Sequence, residues 1–351
     1  MAIYKAIGVM SGTSLDGVDL AYVEFNQTNN KWDFKLKAHE SISYSIEWQD
    51  RLAGLMKADA LSFVKAHIDY GKYTGTLIKE FINKHELRPD IIGVHGHTIF
   101  HDPKQGYTSQ IGDGATIAAL SQQLIACDFR SMDVARDGQG APLVPIGDQM
   151  LFNNYDACIN IGGFANISFL KEGKLTAYDI GPANIVLNSV SQQLGFEYDD
   201  KGQLAESGEP DSILLEKLNS LPYYSQTAPK SLGKEWVDEQ FLPLLPASIH
   251  HIDLLNTLVE HISQKITEEL ALVKGKVLIT GGGALNDYLI QKIKEKTNLE
   301  IVIPSIEIIE MKESIIFAFL AVLRMLNLPN ILPQVTGASS ASISGAMYDG
   351  R

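Results

Sequence analysis

Only two cysteines occur in the 351 residues, Cys127 and Cys158, and they share no CxxC spacing. A disulfide framework and a zinc site of Cys/His spacing are both excluded, and two buried thiols in a reducing compartment are expected. Basic runs are also missing: 29 Lys and Arg stand against 42 Asp and Glu, a net charge of −13. That balance excludes nucleic acid and anionic membrane as main partners. It leaves room for an anionic small ligand, because backbone amides and a metal ion can hold phosphate without net positive charge. No window approaches the roughly 20 apolar residues of a membrane span. The N-terminus has neither the basic start nor the apolar core of a signal peptide, so a cytoplasmic protein is expected. No Gly-x-x-x-x-Gly-Lys-Ser/Thr run is present, so any phosphate loop is not of the Walker A kind.

The chain is longer than a single core of roughly 250–300 residues usually allows, so two domains are expected. Apolar residues are 45% and charged residues 20%, an ordinary globular composition with ample core material. Residues 3–10, 18–25 and 34–42 read as strands, with the turn Ser-Gly-Thr-Ser-Leu-Asp-Gly between the first two. Strand, tight turn, strand is a hairpin start. It disfavours a dinucleotide-binding unit, in which a helix follows the first glycine turn. A helix is predicted over 59–85, its apolar stripe interrupted at Gly71 and Gly75, and strands over 91–94 and 124–127, with a short helix at 115–120 between them.

The Gly/Pro-rich stretch 136–142 marks a domain boundary. Beyond it, strands are expected at 157–161, 165–170 and 175–180 and a helix at 183–194. Loops and short helices fill 197–233. Leu255 to Leu270 carries the stripe of a long amphipathic helix. A strand at 277–280 runs into Gly281-Gly282-Gly283. A helix at 286–297, a strand at 301–303 and a strong helix over 315–326 complete the pattern, and the small-residue tail is expected to return to the first domain. The domains are thus 1–135 with 335–351, and 136–334. Both halves run strands with a glycine turn and then alternate helices with strands, without sequence repetition. This points to two related α/β domains facing across a cleft.

Five segments can carry chemistry. In Met10 to Gly17, Gly12 and Gly17 permit close backbone approach, and Ser11, Thr13 and Ser14 supply hydroxyls. Asp16 could hold a hydrated Mg²⁺ bridging phosphates. A polar hairpin turn explains the same residues equally well. Gly162 and Gly163, followed by Asn166, can present amides to phosphate or form a plain glycine hairpin. Three glycines at 281–283, between a strand and a helix, exceed what a simple turn requires. Asp179 ends a predicted strand just before a helix, where a carboxylate can serve as general base or as a cap. His95, His97, Thr98, Gln110, Asp113, Arg130 and Asp133 form a polar group suited to sugar hydroxyls, with Arg130 the natural partner of an anionic substrate group. His95 and His97 lack a third ligand, so hydrogen-bonding roles are expected over metal.

Taken jointly, these segments resemble the anhydro-N-acetylmuramic acid kinase family. The stretches are MSGTSLDGVD (10–19), HGHTIFHDP (95–103), QIGDGA (110–115), DFRSMDVARDGQGAPLVP (128–145), NIGGFANIS (160–168), YDIGPAN (178–184), ITGGGALN (279–286) and VTGA (335–338). The resemblance implies an α/β fold of two ribonuclease H-like domains facing across a nucleotide-binding cleft, the actin-like ATPase fold. It implies ATP-dependent phosphorylation of 1,6-anhydro-N-acetylmuramic acid with hydrolytic opening of the anhydro ring, in recycling of bacterial cell-wall sugars.

The implied partners are ATP, Mg²⁺ and the amino sugar, with a homodimer as the assembly. Residue by residue, Ser11, Gly12, Thr13, Ser14, Asp16 and Gly17 would contact phosphates, with Asp16 toward Mg²⁺. Gly162, Gly163, Asn166, Gly281, Gly282 and Gly283 would hold phosphate and adenosine. Asp179 would take a proton from the attacking water. His95, Thr98, Asp113, Arg130 and Asn184 would meet the sugar. The family's usual Thr, Gly, Gln and Arg are replaced by Ile180, Ala183, His97 and Met132, which bears on specificity and rate. Two other readings are a kinase of the same fold with another acceptor, and a nucleotide-dependent assembly protein that would have no use for Asp179.

Overall fold

The computed structural model describes residues 2–12, 15–29, 31–228 and 230–351. Contacts divide the chain into two compact units, Met1–Leu151 with Met311–Arg351, and Phe152–Glu310. Composition had set the junctions at 135/136 and 334/335; the contacts set them at 151/152 and 310/311.

In the first unit, β1 (Ala2–Met10), β2 (Gly17–Thr28) and β3 (Lys31–Ser43) form an antiparallel meander. Next comes β4 (Ile91–Val94), parallel to β1. A separate hairpin, β5 (His97–Asp102) with β6 (Tyr107–Ile111), precedes β7 (Leu124–Cys127), which is parallel to β4. The second unit repeats the plan. Its meander is β8 (Ala157–Ile161), β9 (Phe164–Lys171) and β10 (Lys174–Pro182). Then β11 (Lys276–Thr280) lies parallel to β8, and β12 (Glu300–Val302) lies parallel to β11. Near the C-terminus, β13 (Ala346–Asp349) pairs antiparallel with β7. The sheet orders are β13-β7-β4-β1-β2-β3 and β10-β9-β8-β11-β12. Counted within each unit, both read 3-2-1-4-5, the ribonuclease H-like order, and β13 adds an edge to the first.

The helix Ala60–His85 starts where the Asp59 carboxylate accepts from the amides of Leu61 and Ser62 at 2.9 and 3.0 Å. It runs through Gly71 and Gly75, the two positions that interrupt its apolar stripe, as the sequence predicts. Those glycines admit the helix Gly114–Ser121: a side chain at Gly75 would press on Leu120 and Ile117. The helix Ile306–Met325 begins in the second unit and ends in the first. Its backbone lies against Gly8 and Gly93, where an added Cβ would collide with the carbonyls of Ser314 and Phe317. The first core gathers Ile7, Leu20, Tyr70, Ile78 and Ile117; the second gathers Ile159, Ile167, Leu255, Leu258 and Ile279. Both cysteines are buried. Among the described residues, no helix is long and apolar enough to cross a membrane.

Candidate active site

In each sheet, β1 with β4 and β8 with β11 run parallel, so the turns that follow them emerge at one end. At that end of the first unit lies the segment between Met10 and Gly17. Thr13 and Ser14 lie outside the described residues. Leu15 has φ 62°, a left-handed conformation that a bulky side chain adopts only when its surroundings impose it. Its carbonyl accepts from Gln49 at 3.2 Å, and the Asp16 carbonyl accepts from the Tyr44 amide at 3.1 Å. Gly17 is needed for close approach, since a Cβ there would strike the Ile42 carbonyl. The Asp16 side chain is exposed.

Ser11 is buried and joins two networks. Its hydroxyl lies 2.6 Å from Tyr44 Oη and 2.8 Å from His97 Nδ1, and Tyr44 Oη lies 2.6 Å from Tyr70 Oη. Its carbonyl lies 3.3 Å from His95 Nδ1. The Arg130 guanidinium can only donate, and it reaches His95 Nε2 from Nε at 3.1 Å and Nη2 at 2.9 Å. His95 Nε2 is therefore the acceptor, and Nδ1–H donates to the carbonyls of Gly96, at 2.8 Å, and Ser11. Burial, aided by the Arg130 charge, lowers the His95 pKa to about 3, and burial lowers that of His97 to about 4. Both rings are neutral at physiological pH. Arg130 also donates from Nη1 to the Gly140 carbonyl at 2.6 Å. Ser11, His95 and Arg130, expected as separate contacts, thus form one hydrogen-bonded line. His97 holds the Ser11 hydroxyl beside that line.

The other candidates of this unit stand apart from that line. Thr98 Oγ1 accepts from Gln110 Nε2 at 3.3 Å. Asp113 is an N-cap: its Oδ2 accepts from the Thr116 amide at 2.7 Å and hydroxyl at 2.5 Å, and Oδ1 lies 3.8 Å from His67. Asp133 is fully buried and ties the Gly140 amide and the Thr336 hydroxyl, each at 2.7 Å, which is a structural duty. A carboxylate that sequence reading passed over, Glu313, lies in the charge field of Arg130. Its sequence signal is weak, because Glu307 and Glu310 stand at three-residue spacing before it on the same helix.

In the second unit, Gly162 and Gly163 form the two-residue turn between β8 and β9. Their carbonyls accept from the amides of Ala183, Asn184 and Ile185 at 2.8, 3.1 and 3.2 Å. The first amides of the helix Asn184–Gln193 are therefore spent on the turn and not left for an anion. Asn184 Nδ2 donates to the Ile161 carbonyl at 3.3 Å. Gly281 has φ 83° and sits so close to Asn160 and Ile161 that a Cβ would come within 2.7 Å of each. A Cβ at Gly282 would lie 3.6 Å from Asn184 Nδ2. The second and third glycine turns and Asn184 are one cluster. Beside it, Ala284, Asp287, Ile290, Gln291, Lys294 and Ile303 line a recess of about 490 Å³.

Register places Asn160 opposite Asn166, and Asn166 opposite Asp179. Directly opposed residues share a sheet face, so a polar row leads from the glycine cluster to Asp179. Asn160 was not among the sequence candidates, although a polar residue inside an apolar strand was its signal. The Asp179 Oδ2 accepts from the Leu232 amide at 2.9 Å. Among the described residues nothing donates to Oδ1. Burial raises the Asp179 pKa from its ordinary value, and the Leu232 bond opposes this. A carboxylate so placed can accept a proton.

The described residues include no cluster of three His, Cys, Asp or Glu able to enclose a metal. A single exposed carboxylate such as Asp16 does fit Mg²⁺, which takes one or two protein carboxylates and completes its shell with phosphate and water.

Two units of ribonuclease H-like order, each with a glycine-bearing turn at the same end of its sheet, define the class of actin-like ATPases and sugar kinases. The family described as anhydro-N-acetylmuramic acid kinase matches residues 4–350, and the chain belongs to it. The enzyme of that name from Photobacterium profundum is 33% identical over 384 residues, covering 99% of this chain and 99% of the relative. That from Pseudomonas fluorescens is 35% identical over 375 residues, with the same coverage. Among solved structures, an activator of 2-hydroxyisocaproyl-CoA dehydratase from Clostridium difficile with bound ADPNP covers 93% of this chain and 99% of its own, at TM-score 0.46 and 12% identity.

Proposed function

We propose that this kinase phosphorylates 1,6-anhydro-N-acetylmuramic acid with ATP while water opens the anhydro ring, giving N-acetylmuramic acid 6-phosphate and ADP. The observation that carries the reading is Asp179: a half-buried carboxylate with raised proton affinity, one oxygen held by a backbone amide and the other available. A water oxygen bonds to the anomeric carbon as the bond from that carbon to O6 breaks, and Asp179 takes the water's proton. The released O6 then accepts the γ-phosphoryl group. Mg²⁺ would supply charge neutralisation at the phosphates, beside Asp16. The segment from Ser11 to Gly17, the cluster of Gly162, Gly163 and Gly281–Gly283, and Asn166 would bind nucleotide. The recess beside Ala284 and Ile290 is open to the nucleoside. Arg130, held by His95, would meet the substrate carboxylate, with Thr98, Asp113 and Asn184 around the sugar. Positioning and charge stabilisation dominate such a transfer.

The test is incubation with ATP, Mg²⁺ and the anhydro sugar in isotopically labelled water. The phosphosugar is expected with label at the anomeric hydroxyl in the first product formed. A folded, nucleotide-binding protein that yields no phosphosugar would refute the reading. A phosphosugar without label would refute ring opening by water.

A further inference from the structure

The edge of a sheet exposes unpaired backbone groups, and proteins cover such edges. β10 is the edge of the second sheet, and Tyr223, Lys230 and Leu232, from the segment that follows the helix Ser212–Asn219, cover it at Asp179. Three polar groups of Asp179 are bonded to that one segment. Its amide donates to the Lys230 carbonyl at 3.2 Å, its carbonyl accepts from Tyr223 Oη at 2.6 Å, and its Oδ2 accepts from the Leu232 amide. The segment is in turn anchored by the Lys230 side chain, only 4% exposed. Its ammonium lies 5.4 Å from the centre of the Tyr178 ring and 5.0 Å from that of Tyr223, and 3.4 Å from Glu269 Oε1. Tyr178 donates to the other Glu269 oxygen at 2.7 Å. A buried lysine costs free energy unless paired, and a cation between two aromatic faces and a carboxylate is paired.

We propose that Lys230 is a positioning residue for Asp179: caged by Tyr178, Tyr223 and Glu269, it fixes the segment that sets the orientation and proton affinity of that carboxylate. The inference rests on the reading of Asp179 as general base. The titratable groups around Asp179 are Tyr178 on its own strand, Tyr223 and Lys230 on the covering segment, and Glu269 on the helix His251–Leu270. Asn166 on β9 is neutral. Loss of the Leu232 bond removes the one interaction that lowers the Asp179 pKa. The acid limb of kcat then moves to higher pH.

The test compares Lys230→Met, Lys230→Arg and Asp179→Asn, with ATP, Mg²⁺ and the anhydro sugar as substrates. Lys230→Met is expected to lower kcat by about 10- to 100-fold, the scale of a small misplacement of a reacting group. KM for ATP should change less than about twofold, and the acid limb should rise by roughly 0.5–1 pH unit. Amide exchange at residues 230–233 should quicken. Lys230→Arg keeps a cation between the rings and should restore most of the rate. Should Lys230→Met fail to fold, Glu269→Gln removes the pairing charge at a partly exposed site and should show the same pattern, more weakly. Wild-type kcat with an unmoved acid limb overturns the proposal, as does a rate loss equal at every pH with exchange unchanged. Near-normal turnover in Asp179→Asn would refute the base instead, while exchange at 230–233 still decides whether Lys230 holds the segment.

Discussion

The two units share a strand order and differ in what they insert into it. Between its first two strands the first unit places six residues, Ser11 to Asp16, whereas the second places Gly162 and Gly163 alone. After its fourth strand the first unit continues to His95 and the β5–β6 hairpin; the second continues to Gly281–Gly283. The third strand is plain in the first unit and carries Asp179 in the second. In the first unit the candidate residues are joined by a side-chain line (Ser11, His95, Arg130), and in the second by the backbone and a polar row. The units differ also in continuity. One chain segment builds the second unit, whereas the first needs both ends of the protein. One topology thus accommodates two kinds of site, because its strand ends tolerate different insertions while the strands keep their register.

The largest expected effect separates the units outright. A fragment of residues 152–310 should fold and melt cooperatively, since its core lies within 157–309. A fragment of residues 1–151 should not, because Gly8 and Gly93 are shaped for the helix Ile306–Met325 and β7 lacks β13. Circular dichroism melts decide this, and a cooperative transition in the shorter N-terminal piece would undo the contrast in continuity. Next, Asp179→Asn should lower turnover by about 10²–10⁴-fold with ATP binding retained; Thr98→Val in the first unit should cost far less.

Acid should soften the first unit before the second. His95 and His97 stay neutral in the fold down to about pH 3 and 4, and in the second unit His261 does so to about 3. An unfolded histidine binds a proton below about pH 6.5. Stability is therefore whole above that value and falls as pH drops toward 4, by about 2 kcal/mol per histidine at pH 5. Melting of His97→Gln should show a smaller drop between pH 7 and 5, and an identical drop would mean that His97 titrates in place. The smallest effect belongs to Tyr44→Phe, which breaks the link between Ser11 and Tyr70. It should cost about 1 kcal/mol and raise KM for ATP with kcat unchanged, as steady-state kinetics would show.

Most strands and long helices were legible in the sequence, because each unit alternates apolar runs with glycine turns. The glycines at 71 and 75 only broke the apolar stripe of their helix, and nothing local says that they admit a second helix. The β5–β6 hairpin escaped notice because its strands are short and His97 to Asp102 shows no regular alternation of apolar and polar residues. The candidate residues were legible as a set but not in their connections. Nothing local says that His95 accepts from Arg130, or that Asp113 spends its carboxylate on Thr116. Asn160 and Glu313 were hidden for the same reason: their places depend on cross-strand register and on a helix distant in sequence. Lys230 reads as one more lysine in an irregular stretch until Tyr178, Tyr223 and Glu269 are brought around it.

The outermost position of β10 has an evolutionary side. A residue on a central strand is hemmed in by two neighbours, so its surroundings change only with the whole sheet. Asp179 is flanked by a strand on one side and, on the other, by Tyr223, Lys230 and Leu232, which belong to no strand. Those three residues can change without altering the order of any strand. Descendants of such a chain could therefore try new acceptors around an inherited carboxylate, with the glycine turns left as they were.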